Sequence, residues 1–261
     1  TEVDIVVPGD GEVTMAEICR IAEENPSIEK YTEVPGLVLL NENGELKNTG
    51  YHEGLPKNEI YDYDLDDLEK SGDIDQKFPV VTKDDSTWKR YFRDKRAHEP
   101  QRKGKTYGLF YTAKGCVSKC TYCHRSVKGL RILPVDMVME RLEEMIERYN
   151  VGFIGIGDEN FGADKRWLKE FCEKVKKYDV LWCVNTRVSG MTPEVINMMK
   201  DSGLTELTFG IESGSDEMLK VMEKKVSRQQ NTDAVRYASE AKIFGVVALV
   251  IGMPGESPET I

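Results

Sequence analysis

Nothing in this 261-residue sequence is apolar for long enough to cross a membrane: no stretch approaches the ~18 consecutive apolar residues of a span. The N-terminus has neither the basic flank nor the apolar core of a secretion signal. These absences predict a chain that is neither secreted nor membrane-bound. Basic excess is missing as well, since 36 Lys and Arg face 46 Asp and Glu, a formal charge of -10 with no long block of one sign. That balance argues against phosphate-driven nucleic-acid binding and predicts a cytoplasmic protein. No short sequence repeat or low-complexity tract is present.

Cysteine is unevenly placed. Three of the six fall in one eight-residue window, Cys116, Cys120 and Cys123, whereas Cys19, Cys172 and Cys183 are scattered through apolar patterns. Clustering of that kind points to metal binding rather than to disulfides. The scattered cysteines, with His52 and His98 in polar stretches, match no ligand spacing and read as packing residues. With 39% hydrophobic residues the chain has ample apolar surface for a buried core.

The apolar pattern divides the chain in three. Residues 1–56 read as a strand over Val3–Val7, a Gly-rich turn at Gly9–Glu12, a helix from about Thr14 to Glu24 with Ile18, Ile21 and Ala22 inward, and a β-hairpin. The hairpin arms, Gly36–Leu40 and Glu45–Lys47, flank an Asn41–Gly44 turn. Residues 57–104 are mostly polar, with isolated Tyr61, Tyr63, Phe78, Trp88, Tyr91 and Phe92, and read as a linker that packs locally. From residue 105 onward, strands at Tyr107–Tyr111, Gly152–Ile156, Val180–Val184, Leu204–Phe209 and Val246–Ile251 alternate with helices, which predicts parallel pairing in an α/β fold. The first of those helices carries Val138, Leu142, Met145, Ile146 and Tyr149 on one face. Asp164, Thr192, Ser215 and Thr232 are predicted N-caps, with Pro193 opening the helix after Thr192. Repeated βα units make either an open doubly wound sheet or a barrel, and in both the functional loops lie at the C-terminal ends of the strands.

Gly115-Cys-Val-Ser-Lys-Cys-Thr-Tyr-Cys123 is a CxxxCxxC motif in the loop after the first of those strands. A 4Fe-4S cube is normally held by four thiolates, so three closely spaced cysteines with no fourth nearby leave one iron open. A zinc site with His124 as fourth ligand and a ferredoxin-like electron carrier are the plainer readings, although zinc sites usually show two such cysteine pairs. CxxxCx(aromatic)C, here Cys116, Cys120, Tyr122 and Cys123, resembles the signature of the radical S-adenosylmethionine (SAM) superfamily, over at least residues 106–261. The resemblance implies a partial (β/α) TIM-type barrel, with five of about six strands present. It also implies that the open iron chelates the amino and carboxylate groups of SAM. Reductive cleavage of the sulfonium then yields a 5′-deoxyadenosyl radical that abstracts a hydrogen atom.

Later segments are similar to the family's SAM-binding turns, each coming after a strand. Asp158 and Glu159 stand after the second strand, where the family receives the methionyl amino group; a solvated helix-capping loop is the plain alternative. Arg187 ends the third, where similar barrels place an active-site arginine, and both a bidentate carboxylate contact and a surface salt bridge are open to it. Gly210-Ile-Glu-Ser-Gly-Ser215 ends the fourth, and the resemblance carries ribose contact onto Glu212 and Ser213; by itself the string also reads as a capped βα turn. Gly252-Met-Pro-Gly-Glu256 ends the fifth and resembles the turn beneath the adenine, with Glu256 four residues after Gly252 where a stricter form of the motif has three.

Residues 1–56, with Asp4-Ile-Val-Val-Pro-Gly-Asp-Gly-Glu12 and Pro35-Gly36-Leu37, resemble the C-terminal remnant of the α/β cobalamin-binding domain fused to one radical SAM subfamily. The implied reaction is cobalamin-dependent methyl transfer to an unactivated carbon, with ring rearrangement as a second outcome. It implies in turn a small-molecule or peptide substrate and an external electron donor such as flavodoxin or ferredoxin. A radical methylthiotransferase acting on RNA or protein would carry a second cysteine cluster, and only Cys19 lies upstream. A non-enzymatic iron–sulfur or zinc module is the third reading. The chain opens on Thr1 and stops at Ile261, five residues after Glu256, which predicts a fragment with a radical SAM domain truncated at its C-terminus.

Overall fold

A computed structural model of the chain describes residues 3–24, 27–60, 64–124, 127 and 129–261, so Tyr61 and Tyr63 lie outside the described residues. The fold divides into two units, one of residues 1–60, 115–117 and 124–131, the other of residues 61–114, 118–123 and 132–261.

In the first unit β1 (Ile5–Val6) is followed by α1 (Glu12–Ala22), the short α2 (Ile28–Tyr31), β2 (Val38–Leu40) and β3 (Leu46–Asn48). β2 pairs antiparallel with both β1 and β3, the latter closing the predicted hairpin. Its turn forms because Asn41 Oδ1 accepts from the Asn43 and Glu45 amides while the Gly44 amide reaches Asn41 O at 2.9 Å. Ile21, Val34, Leu37 and Leu39 make the core, with Ile5, Val7 and Ile18 packed against them. Ala22, predicted to face inward, is exposed, because the buried stripe of α1 is narrow and runs through Thr14, Ile18 and Ile21.

The second unit opens with α3 (Leu65–Lys70), α4 (Ile74–Lys77) and three 3-10 turns within residues 91–102. Next in chain order come β4 (Thr106–Phe110), a separate two-stranded sheet of β5 (Ala113–Cys116) and β6 (Gly129–Ile132), whose residues 115–116 and 129–131 belong to the first unit, and then α5 (Val135–Tyr149), β7 (Val151–Ile156), α6 (Lys165–Val175) and β8 (Leu181–Thr186). They are followed by α7 (Pro193–Asp201), β9 (Leu204–Glu212), α8 (Asp216–Val221), α9 (Arg228–Glu240) and β10 (Phe244–Leu249). The main sheet has the order β10-β9-β8-β7-β4 and every pairing in it is parallel. All five predicted strands are therefore present as consecutive neighbours, and among the described residues the sheet stays open.

Helical faces obey the sequence pattern. α5 buries Val138, Leu142, Met145 and Tyr149, each such side chain stabilising by roughly 1.5–3 kcal/mol. Asp164, Thr192 and Ser215 cap α6, α7 and α8 through their side-chain oxygens. Thr232 does not cap. α9 starts after Ser227, which forms a capping box with Gln230, and the Thr232 hydroxyl instead donates back to Arg228 O inside the helix.

The two faces of the sheet are covered differently. Trp182 of β8 meets Phe171 of α6 edge-on at 5.6 Å. Phe153, Leu181 and Cys183, alternating with that face, pack instead against Val81, Tyr91 and Ala97, with Trp88, Phe92 and Tyr107 alongside. The same segment lines the β4 edge, where the Tyr107 amide donates to Pro79 O at 2.9 Å and the Val81 amide to Lys105 O at 3.0 Å.

Candidate functional site

The cysteine loop leaves the C-terminal end of β4, the first strand of the parallel sheet. Its first step is fixed by Asp158, just beyond the end of β7. One carboxylate oxygen accepts from the amides of Thr112 (2.7 Å) and Ala113 (3.1 Å), and the other accepts from the Thr112 hydroxyl. Asp158 is 2% exposed, and burial raises its pKa to about 6 against the opposing pull of those hydrogen bonds. Glu159 beside it is exposed.

Further along, Cys120 is buried and Cys123 exposed, and the Cys123 amide closes a turn on Cys120 O at 3.2 Å. Thr121 docks this turn on the end of α8: its amide donates to Met222 O (3.0 Å) and its hydroxyl to Val221 O (3.1 Å). Arg187, just after β8, spans the same two elements. Its Nη1 lies 3.4 Å from Cys120 Sγ and its Nη2 donates to Lys224 O. The arginine therefore meets a sulfur and a carbonyl here.

Glu212 ends β9 with φ at 63°, a left-handed conformation that costs a non-glycine residue roughly 1–3 kcal/mol and recurs at functional sites. Its Oε1 accepts from Lys224 Nζ at 2.6 Å, both side chains being almost fully buried. Lys224 Nζ also lies 3.1 Å from the Tyr122 hydroxyl. Burial, and then the Glu212 charge, push the Tyr122 phenol well up. A buried pair of this kind adds little as a unit, but losing one partner costs about 3–5 kcal/mol because the other charge stays behind.

Ser213 is buried, and its hydroxyl accepts from the Ser215 amide at 3.0 Å; Asn231 of α9 braces the same turn through the Ile211 and Ser213 carbonyls. At the end of β10 the Gly252 amide donates to Glu256 at 2.5 Å, so this carboxylate folds back on its own turn. Arg187, Glu212 and Tyr122 are thus drawn together with Cys120, whereas Asp158 serves the start of the loop.

Cys116 is buried at the end of β5. Among the described residues no disulfide is formed, and no three His, Cys, Asp or Glu side chains converge on one point. The donor chemistry nevertheless fits an iron–sulfur cluster: three thiols within eight residues of sequence, one of them, Cys120, beside the Arg187 guanidinium.

The model of the radical SAM superfamily matches residues 110–261, more than half of the chain. The chain belongs to the radical SAM superfamily. Membership implies a 4Fe-4S cluster and SAM. An uncharacterized methyltransferase of Pyrococcus horikoshii is 26% identical over 99% of the chain and 51% of that relative. The anaerobic magnesium-protoporphyrin IX monomethyl ester cyclase of Cereibacter sphaeroides is 25% identical over 99% of the chain and 39% of its own length. The chain therefore spans about half or less of these relatives. The structure of OxsB, a cobalamin-dependent SAM radical enzyme with aqua-cobalamin bound, superposes with a TM-score of 0.68 at 20% identity over 95% of this chain and 33% of that one. That likeness bears out the expected α/β fold.

Four residues of this site carry no signal in the sequence. Thr112 and Thr121 are ordinary loop threonines there, and Asn231 is one polar residue among several on α9. Lys224 sits in the charged run Glu223-Lys224-Lys225, yet it is buried while both neighbours are exposed.

Proposed function

We propose that this chain is the cluster- and SAM-binding part of a radical SAM methyltransferase, in which Cys116, Cys120 and Cys123 hold a 4Fe-4S cluster. The observation that carries the reading is the CxxxCxxC loop at the C-terminal end of the first strand of an open parallel sheet, inside the segment matched by the family. When bound and reduced, such a cluster supplies the electron that splits SAM into methionine and a 5′-deoxyadenosyl radical, which takes a hydrogen atom from the substrate.

The protein's own groups then have separate tasks. Glu159 receives the methionyl amino group, a role supported by its exposure beside the buried Asp158, which braces the loop. Arg187 holds Cys120 and offers its charge to a carboxylate. Glu212 and Ser213 face the ribose, and the turn from Gly252 to Glu256 faces the adenine. Tyr122 fills the aromatic place of the motif. The aromatic layer around Tyr91 and Phe92 covers Phe153, Leu181 and Cys183 and keeps water from that part of the sheet, as a reactive radical requires.

Residues 1–56 are the end of a cobalamin-binding-like domain and residues 105–261 the radical SAM domain, whose sheet is packed by Val81, Tyr91 and Ala97 of the segment 57–104 between them. Methyl transfer with cobalamin is favoured by the methyltransferase-named relative and by the fold shared with OxsB. The substrate is a small molecule or peptide, with flavodoxin or ferredoxin as electron donor.

The test is anaerobic reconstitution of the full-length protein with iron and sulfide, and then addition of dithionite and SAM. The expected product is 5′-deoxyadenosine, and serine at any of the three cysteines abolishes both bound iron and product. A wild-type protein that binds iron yet yields no 5′-deoxyadenosine sinks the reading.

A further inference from the structure

We propose that Lys224 is a positioning residue for the cysteine loop, holding Glu212, Tyr122 and Arg187 in register around Cys120. The inference rests on the reading of that loop as the cluster site. It starts from the way α8 ends. The Glu223 amide donates to Lys220 O and the Lys224 amide to Leu219 O, both at 3.0 Å, the paired bonds of a Schellman motif. Such a motif favours glycine at its left-handed position and an apolar residue next. Here Glu223 takes the left-handed conformation at φ 50°, Lys225 repeats it at φ 57°, and the residue between them, in the place of the apolar contact, is a lysine 3% exposed.

A strained turn that buries an ammonium needs a compensating reason, and the contacts of Lys224 supply one. Its Nζ bridges Glu212 Oε1 at 2.6 Å and the Tyr122 hydroxyl at 3.1 Å, while its carbonyl receives the Arg187 guanidinium that reaches Cys120 at 3.4 Å. Two residues upstream, Met222 O receives the Thr121 amide. The turn after α8 thus grips the loop at Cys120, Thr121 and Tyr122, and Lys224 is the residue common to the side-chain and backbone contacts.

The experiment compares K224M, K224R and the double variant K224M/E212Q in the full-length protein. The double variant removes both buried charges, so it keeps the fold if K224M alone does not. In the apo-protein, amide hydrogen exchange over residues 120–123 is expected to rise about tenfold or more in K224M and in the double variant, and to return toward wild type in K224R. After reconstitution all variants retain iron, but the electron paramagnetic resonance spectrum of the reduced cluster changes in K224M and in the double variant. SAM binding weakens about tenfold in both. Exchange and spectrum unchanged from wild type in K224M, or in the double variant if K224M does not fold, overturn the role of Lys224. A wild-type protein that builds no cluster overturns the underlying reading instead, and the apo-protein exchange still decides whether Lys224 positions the loop.

Discussion

The charge of Asp158 is held at a cost that can be measured. Its carboxyl lies against the Thr112 and Ala113 amides and the Thr112 hydroxyl, and burial lifts its pKa from 3.8 to about 6. At about 1.4 kcal/mol for each unit of pKa, that difference corresponds to about 3 kcal/mol. The folded state holds this proton more tightly than the unfolded chain. The stabilisation is therefore complete below pH 3.8 and is lost as pH rises through about 6. The asparagine side chain of the D158N variant would keep the geometry of the neutral form: its oxygen can accept from both amides and its nitrogen can donate to the Thr112 hydroxyl. D158N is thus expected to match wild type within about 1 kcal/mol near pH 4 and to gain about 3 kcal/mol on it by about pH 7. Urea unfolding of both proteins across that range measures the gap, and the difference cancels every other titrating group. A gap constant with pH, or one that moves in favour of wild type as pH rises, would mean that the three donors outweigh burial and would refute the reasoning.

Two further outcomes rest on local geometry. S227A removes the capping oxygen and half of the box at the start of α9, and should lower stability by about 1 kcal/mol in denaturant titration. The alanine variant G203A carries a Cβ into the Val180 carbonyl at a residue whose φ is 112°, so thermal unfolding should show a loss of more than about 1 kcal/mol, because backbone cannot move aside as a side chain can.

Much of the architecture was legible because periodicity survives translation into structure. The apolar runs became five parallel strands in sequence order, and three of four predicted caps hold. Thr232 misled because a capping oxygen is recognised by its partner three residues downstream, and the true signal, Ser227 with Gln230, lies in an unbroken polar run. The cysteine loop could be read from spacing alone, but its supports could not. In sequence Glu223, Lys224 and Lys225 are equivalent charges; only the left-handed turns on either side of Lys224 rotate one of the three inward. Tyr91 was equally hidden, since short 3-10 turns bury single residues without any repeat, and its phenol reaches Ile154 O and Cys183 only across 63 and 92 positions of chain.

That aromatic layer decides where the second unit can be cut for expression. A polypeptide begun at residue 105, where the regular βα alternation starts, would keep every strand of the sheet. It would also strip Val81, Tyr91 and Ala97 from Phe153, Leu181 and Cys183 and leave the β4 edge without its Pro79–Val81 partner. The result would be an apolar sheet face next to an open strand edge, a combination that invites self-association. A soluble version of this unit must begin before Pro79, and the stretch that looks most like a tether in the sequence is the one it can least do without.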